Sequence, residues 1–147
     1  MMDEALAGGG ASHELLDHTA ELALRLRAPS FEALLGEAVV ALGGMLVDEA
    51  GSAGKAEARI LELAAPDREA LLVDALNEVL FLAETARWAP AGRLGGTVVQ
   101  ADATHAQIQA PGVRLAGTPS RIKGATFHGL AVRAEGGMVV AEVILDV

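Results

Sequence analysis

Two acidic stretches far apart in the chain carry the side chains best suited to chemistry. Near the front stands Asp17-His18-Thr19-Ala20-Glu21, and the last residues read Ala141-Glu142-Val143-Ile144-Leu145-Asp146-Val147. The second stretch is an apolar strand pattern that runs to the final residue and sets Asp146 beside the terminal carboxylate. Loose termini fray in solvent, so a terminus without a polar tail is expected to be held in place. Brought together, Asp17, Glu21, Asp146, the Val147 carboxylate and nearby main-chain oxygens would form an all-oxygen cluster. Hard cations such as calcium or magnesium take ligands of this kind. Without a cation the same carboxylates repel one another, so the alternative is a set of solvated acids at strand ends.

Other chemistries find less support. The chain has no cysteine, which removes disulfides, thiolate nucleophiles and sulfur-ligated metals. Histidines stand at 13, 18, 105 and 128. His18 beside Asp17, together with His128, would suit an imidazole–carboxylate metal hydrolase. There is, however, no closely spaced histidine pair to anchor zinc, and a histidine beside a turn more often bonds main chain. None of the serines at 12, 30, 52 and 120 lies in a Gly-x-Ser-x-Gly elbow. Gly51-Ser52-Ala53-Gly54-Lys55 lacks the spacing and the following hydroxyl of a phosphate loop and reads as a flexible loop. Arg121, Lys123 and Arg133 are the clustered bases of the C-terminal half and carry no assigned role.

Charge narrows the partners. With 20 acidic against 11 basic residues, the net charge of −9 repels phosphate backbones, so autonomous nucleic-acid binding is not expected. The acidity suits a basic protein partner, a cation or solubility alone. No apolar run reaches membrane-span length and no signal-peptide pattern opens the chain, which reads as soluble and cytoplasmic.

The elements that must position the acids follow from periodicity. At 147 residues, 52% hydrophobic but only 3% aromatic, the chain suits a single domain with a compact aliphatic core. Residues 1–12, with Gly8-Gly9-Gly10, read as a flexible leader, and 13–147 as the folded domain. From Glu21, Leu22, Leu24 and Leu26 alternate with Ala23, Arg25 and Arg27, the pattern of a half-buried strand with Glu21 on its non-core side. Ser30 is a natural cap for a helix through Leu46, weakened by Gly43-Gly44, and Asp48 to Gly54 reads as a loop. A strand over Ala58–Leu63 precedes a second helix, capped by Asp67. That helix carries the stripe Leu71, Leu72, Ala75, Leu76, Val79, Leu80 and Ala83; Val73 and Phe81 widen it, predicting the more deeply buried helix of the two. It breaks before Pro90. Short strands are expected at Gly96–Gln100, His105–Gln109 and Val113–Ala116. A hairpin follows, from Leu130–Arg133 through Glu135-Gly136-Gly137 into Met138–Asp146. Two helices and about seven strands predict an α+β domain, a largely antiparallel sheet with two amphipathic helices packed on one face.

Several of these strings resemble one family. Asp17-His18-Thr19-Ala20-Glu21 is similar to the Asp-His-Thr-Ala-Asp signature of the archeases. Arg121 to Val132 resembles their Val-Lys-Ala-Val-Thr-Tyr-His-Gly-Leu-Glu-Val segment, with Phe127 in place of the tyrosine. Val143-Ile144-Leu145-Asp146-Val147 is similar to their terminal Val-Ile-Leu-Asp-Ile, and Leu71 to Leu82 to their Leu-Leu-x-x-x-Leu-Asn-Glu-x-Leu-x-Leu helix. The order and spacing hold from His13 to Val147.

The resemblance implies a small α+β accessory protein, without catalysis of its own, that activates an RtcB-type RNA ligase in tRNA splicing or RNA repair. Such proteins promote guanylylation of the ligase's active-site histidine and its multiple turnover. The resemblance also implies a divalent metal ion, calcium, held by Glu21, Asp146 and Val147, with Asp17 as a possible additional ligand. Glu21 stands where the family has aspartate, so its carboxylate reaches roughly 1.5 Å further, which calcium's adaptable shell tolerates better than magnesium's octahedron. The alternative is a chaperone-like modulator of RNA-modifying enzymes whose acidic cluster docks without metal.

Overall fold

The computed structural model describes residues 10–18, 21–92 and 96–147, and of Asp17 and His18 the backbone alone. In chain order the elements are β1 (Ser12–His18), β2 (Glu21–Ala28), α1 (Phe31–Ala50), β3 (Ser52–Ala56), β4 (Arg59–Ala64) and α2 (Arg68–Ala86). There follow β5 (Trp88–Pro90), β6 (Val98–Ala101), β7 (His105–Ala110), β8 (Gly112–Leu115), β9 (Gly124–Thr126), β10 (Arg133–Glu135) and β11 (Met138–Asp146).

Alternation builds the main sheet. β2 buries Leu22, Leu24, Leu26 and Ala28 and turns Arg25 and Arg27 outward; β11 likewise buries Ala141, Val143 and Leu145. The two pair antiparallel from Val139–Ala28 to Asp146–Glu21, and β1 lines the other side of β2. The second edge of β11 is shared, β10 along its start and β9 along its end. Two three-stranded antiparallel sheets, β3-β8-β5 and β4-β7-β6, complete the fold. The domain is α+β, as its sequence predicts.

The helices fill the space inside. Ser30 caps α1 by accepting from the Ala33 N–H at 3.1 Å, and Asp67 caps α2 by accepting from Ala70 at 2.8 Å. α1 packs on β2 and also on β5 and β6, so it is enclosed between the main sheet and the smaller ones. It is therefore the deeper helix, contrary to the expectation from the stripe of α2, whose Phe81 is 56% exposed. α1 even buries a carboxylate, Glu37, whose Oε2 accepts from Nδ1 of His13 at 2.7 Å and so ties β1 to the helix.

The C-terminal end of α2 supplies one prediction. Arg87 closes the helix in the left-handed region at φ 51, ψ 49, a conformation that glycine adopts freely and other residues do not. Arg87→Gly is expected to raise stability by about 0.5–1 kcal/mol after glycine's greater unfolded-state freedom is deducted. Thermal unfolding should register an increase of roughly 1–4 °C.

Several elements differ from expectation. α1 runs on through Asp48 to Ala50, and β3 occupies much of the expected loop; its residues are all exposed, so no burial alternation marks it. β5 and β9 are three residues each, too short to show a period. The expected strand at Leu130–Arg133 begins only at Arg133. Leu130 instead donates to the Phe127 carbonyl at 2.9 Å in a turn, and the Val132 N–H is bound by Glu69 at 2.9 Å. The hairpin turn itself is as expected: Gly136 and Gly137 lie at φ 59 and 79 between the paired Glu135 and Met138. β1 starts at Ser12, and most of the expected leader, residues 1–9, lies outside the described residues.

Candidate functional site

The register of the main sheet sets the two acidic stretches side by side. Glu21 opens β2 and Asp146 closes β11, and they are direct cross-strand partners. Both stand on the sheet face away from the helices, because their neighbours Leu22 and Leu145 point into the core. The same row continues to His18 on one side and Gly124 on the other. Asp17 pairs with Leu22, one position off that row. Val147 follows Asp146 and rests its side chain, half-buried, against the core.

The chemistry of this row contrasts with that of its neighbour two rows away. There Arg25 lies between two acids, donating to Glu14 at 3.2 Å and to Glu142 at 3.3 Å. Between the two rows lie Leu16, Ala23, Ile144 and Thr126, a strip with no charge. Glu21 and Asp146 face each other with no ion pair to Lys, Arg or His among the described residues. Like charges placed opposite across a strand pair destabilise it, and a hard cation is the partner that reverses the sign. The donor set therefore fits an oxygen-seeking ion. Among the described residues no group of three or more His, Cys, Asp or Glu side chains is close enough to hold a metal, so the described acidic donors amount to a pair.

The strand beside Asp146 is held from both sides. The Lys123 N–H donates to the Asp146 carbonyl at 2.7 Å, and β9 pairs with the end of β11. From α2, Asn77 accepts from the Ala125 N–H at 2.9 Å and donates to the Ala125 carbonyl at 3.3 Å. Upstream, Glu49 at the end of α1 accepts from the Ser120 and Arg121 N–H groups at 2.8 and 3.2 Å. The irregular segment carrying Arg121, Lys123, Phe127 and His128 is thus fixed by Glu49, Asn77 and Glu69. None of the three is a candidate from sequence. The available signal is Asn77 itself, a lone amide beside the apolar stripe of α2.

The remaining candidates lie elsewhere. His128 is exposed on the turn after β9, its N–H directed at the Thr126 hydroxyl at 3.4 Å. His105 begins β7 beside Asp102, whose carboxyl is held below its usual range by hydrogen bonds from the Thr104 and His105 N–H groups. That arrangement closes the β6–β7 turn. Gly51 to Lys55 forms the end of α1 and most of β3, paired to β8. No helix is long and apolar enough to cross a membrane among the described residues.

Comparison with known proteins converges on one family. The profile of the Archease protein family matches residues 13–147. "Protein archease" of Methanosarcina mazei is 35% identical over 75 residues, 51% of this chain and 51% of that protein; its counterpart in Methanosarcina barkeri is 34% identical over 79 residues, 54% and 53%. These alignments span about half the length of the curated relatives. The crystal structure of a Thermotoga maritima protein described as an archease, possible chaperone, superposes with a TM-score of 0.61 at 20% identity, covering 92% of this chain and 98% of that one. The solution structure of Methanobacterium thermoautotrophicum protein 1598 gives 0.66 at 22% identity with the same coverage. At these identities the two structures establish the fold. With the family profile matched from His13 to Val147, the chain belongs to the archease family.

Proposed function

We propose that this chain is a metal-binding accessory protein that activates an RtcB-type RNA ligase, promoting guanylylation of the ligase and its repeated turnover in tRNA splicing or RNA repair. The reading rests on family membership and on one observation, the direct opposition of Glu21 and Asp146 on the open face of the main sheet. In this reading the ion is divalent, calcium first, held by Glu21, Asp146 and main-chain oxygen of Val147. Asp17, one position off the row, is a further candidate ligand. The ion supplies the positive charge that offsets the paired carboxylates and fixes their orientation. The protein's own residues then present an ordered, charge-balanced end of the sheet to the ligase, and the RNA is handled by the ligase. The protein works in the cytoplasm as an activator, with no catalysis of its own.

A chaperone-like modulator without metal is the second reading, favoured by the description of the Thermotoga maritima relative as a possible chaperone. Calorimetric titration with calcium separates the two, because docking alone needs no stoichiometric ion. The expected result is one ion bound per chain in the wild type and none in Asp146→Ala. Multiple-turnover ligation by a cognate ligase should accelerate when the protein is added with calcium. Acceleration without ion uptake would favour the second reading, and no acceleration would remove the first.

A further inference from the structure

We infer that Asn77 is a positioning residue for the acidic end of the main sheet, acting through β9; its link to activation rests on the function proposed above. β9 has three residues and, among the described residues, one strand partner, β11. A strand so short, paired on one edge, needs its other edge satisfied, since buried main-chain groups without partners are costly. Ala125, at its centre, is buried, and both its N–H and its C=O are taken by the one carboxamide of Asn77. Asn77 thereby does what a neighbouring strand would do, offering an acceptor and a donor side by side.

The consequence reaches the acids through the backbone. Gly124, the residue before Ala125, is the register partner of Asp146, and Lys123 before it donates to the Asp146 carbonyl. The chain of contact therefore runs from α2 through Asn77 and β9 to Asp146, and across to Glu21. Gly124 itself lies beside the amide: a Cβ there would stand 3.7 Å from Oδ1 of Asn77, ordinary van der Waals contact. Asn77 touches neither carboxylate, so its effect on them passes through β9.

The test compares Asn77→Ala with Asp67→Ala, a control that lowers stability by removing the N-cap of the same helix at a site away from Asn77. Alanine suits the helix interior at 77, and loss of a single cap at 67 leaves the body of α2 in place, so both variants should fold. Amide hydrogen exchange is followed at Lys123 and Ala125 and, as a reference, at Leu42 in α1. Asn77→Ala is expected to speed exchange at Ala125 about tenfold and at Lys123 several-fold, with Leu42 unchanged. Calcium titration of the same samples should show affinity about three- to tenfold weaker for Asn77→Ala and unchanged for Asp67→Ala, a difference that loss of stability alone does not produce. Exchange at Ala125 and Lys123 no faster than in Asp67→Ala, or equal shifts at all three amides, would overturn the inference. If the wild type takes up no calcium, the ion reading fails, while the exchange comparison still decides the role of Asn77.

Discussion

Replacing Gly43 by alanine is expected to destabilise the protein by about 2–3 kcal/mol, whereas the same change at the adjacent Gly44 should stabilise it. Both glycines lie inside α1, where alanine is the better helix former by roughly 1 kcal/mol. At Gly44 nothing among the described residues beyond the helix itself lies within 4 Å of the added methyl group, so that gain stands. At Gly43 the methyl carbon would fall 2.1 Å from the Pro90 carbonyl oxygen and 2.9 Å from its carbon. Both are main-chain atoms of β5, which is itself paired to β8 and packed on both helices, so the neighbour cannot swing away as a side-chain tip would. Overpacking typically costs about 1–3 kcal/mol and occasionally more; against fixed main-chain atoms the cost here is about 3–4 kcal/mol, which leaves about 2–3 after the propensity gain of roughly 1. Thermal unfolding should place Gly43→Ala roughly 4–12 °C below wild type and Gly44→Ala about 1–4 °C above it.

The second large effect is a change of sign with calcium. Without the ion, Asp146→Asn removes a carboxylate that faces Glu21 and should stabilise the protein by a few tenths of a kcal/mol, up to about 1. With calcium at a hundred times its dissociation constant, the wild type gains about 2.7 kcal/mol from binding while the variant gains little. The order of unfolding temperatures should therefore invert, the wild type moving from slightly below the variant to roughly 3–10 °C above it. Parallel curves with and without calcium would show that the paired acids hold no ion.

How far the sequence foretells this molecule depends on the kind of contact. β2 and α1 announce themselves through Leu22-Leu24-Leu26 and the cap at Ser30, because burial alternation and capping are local. β3 and β9 do not: one is wholly exposed and the other three residues long, and both are held by main-chain pairing that leaves little trace in side-chain type. The relative depth of the helices misled for a related reason. Phe81 widens the stripe of α2 on paper, but in the fold it is exposed, whereas α1 is enclosed by sheets whose arrangement is a tertiary fact.

The candidate site is legible by a different route. Glu21 and Asp146 stand out as acids at strand ends and through the motifs that resemble the archeases. Their direct opposition depends on the register between β2 and β11, which no local pattern encodes. Asn77, Glu49 and Glu69 hold the backbone between Ser120 and Val132, yet as single polar residues on helices they resemble ordinary solvated positions. Their role appears only when the acceptors are traced to the main chain they bind.

The central claim is that the acidic end of this sheet activates a ligase. Its most direct measurement is the rate at which a cognate RtcB-type ligase is guanylylated on its active-site histidine, with calcium present, alone and with this protein added as wild type or as Asp146→Ala. The account predicts faster guanylylation with the wild type and a rate indistinguishable from the ligase alone with a folded Asp146→Ala variant. An unchanged rate with the wild type, or equal acceleration by both proteins, would contradict it.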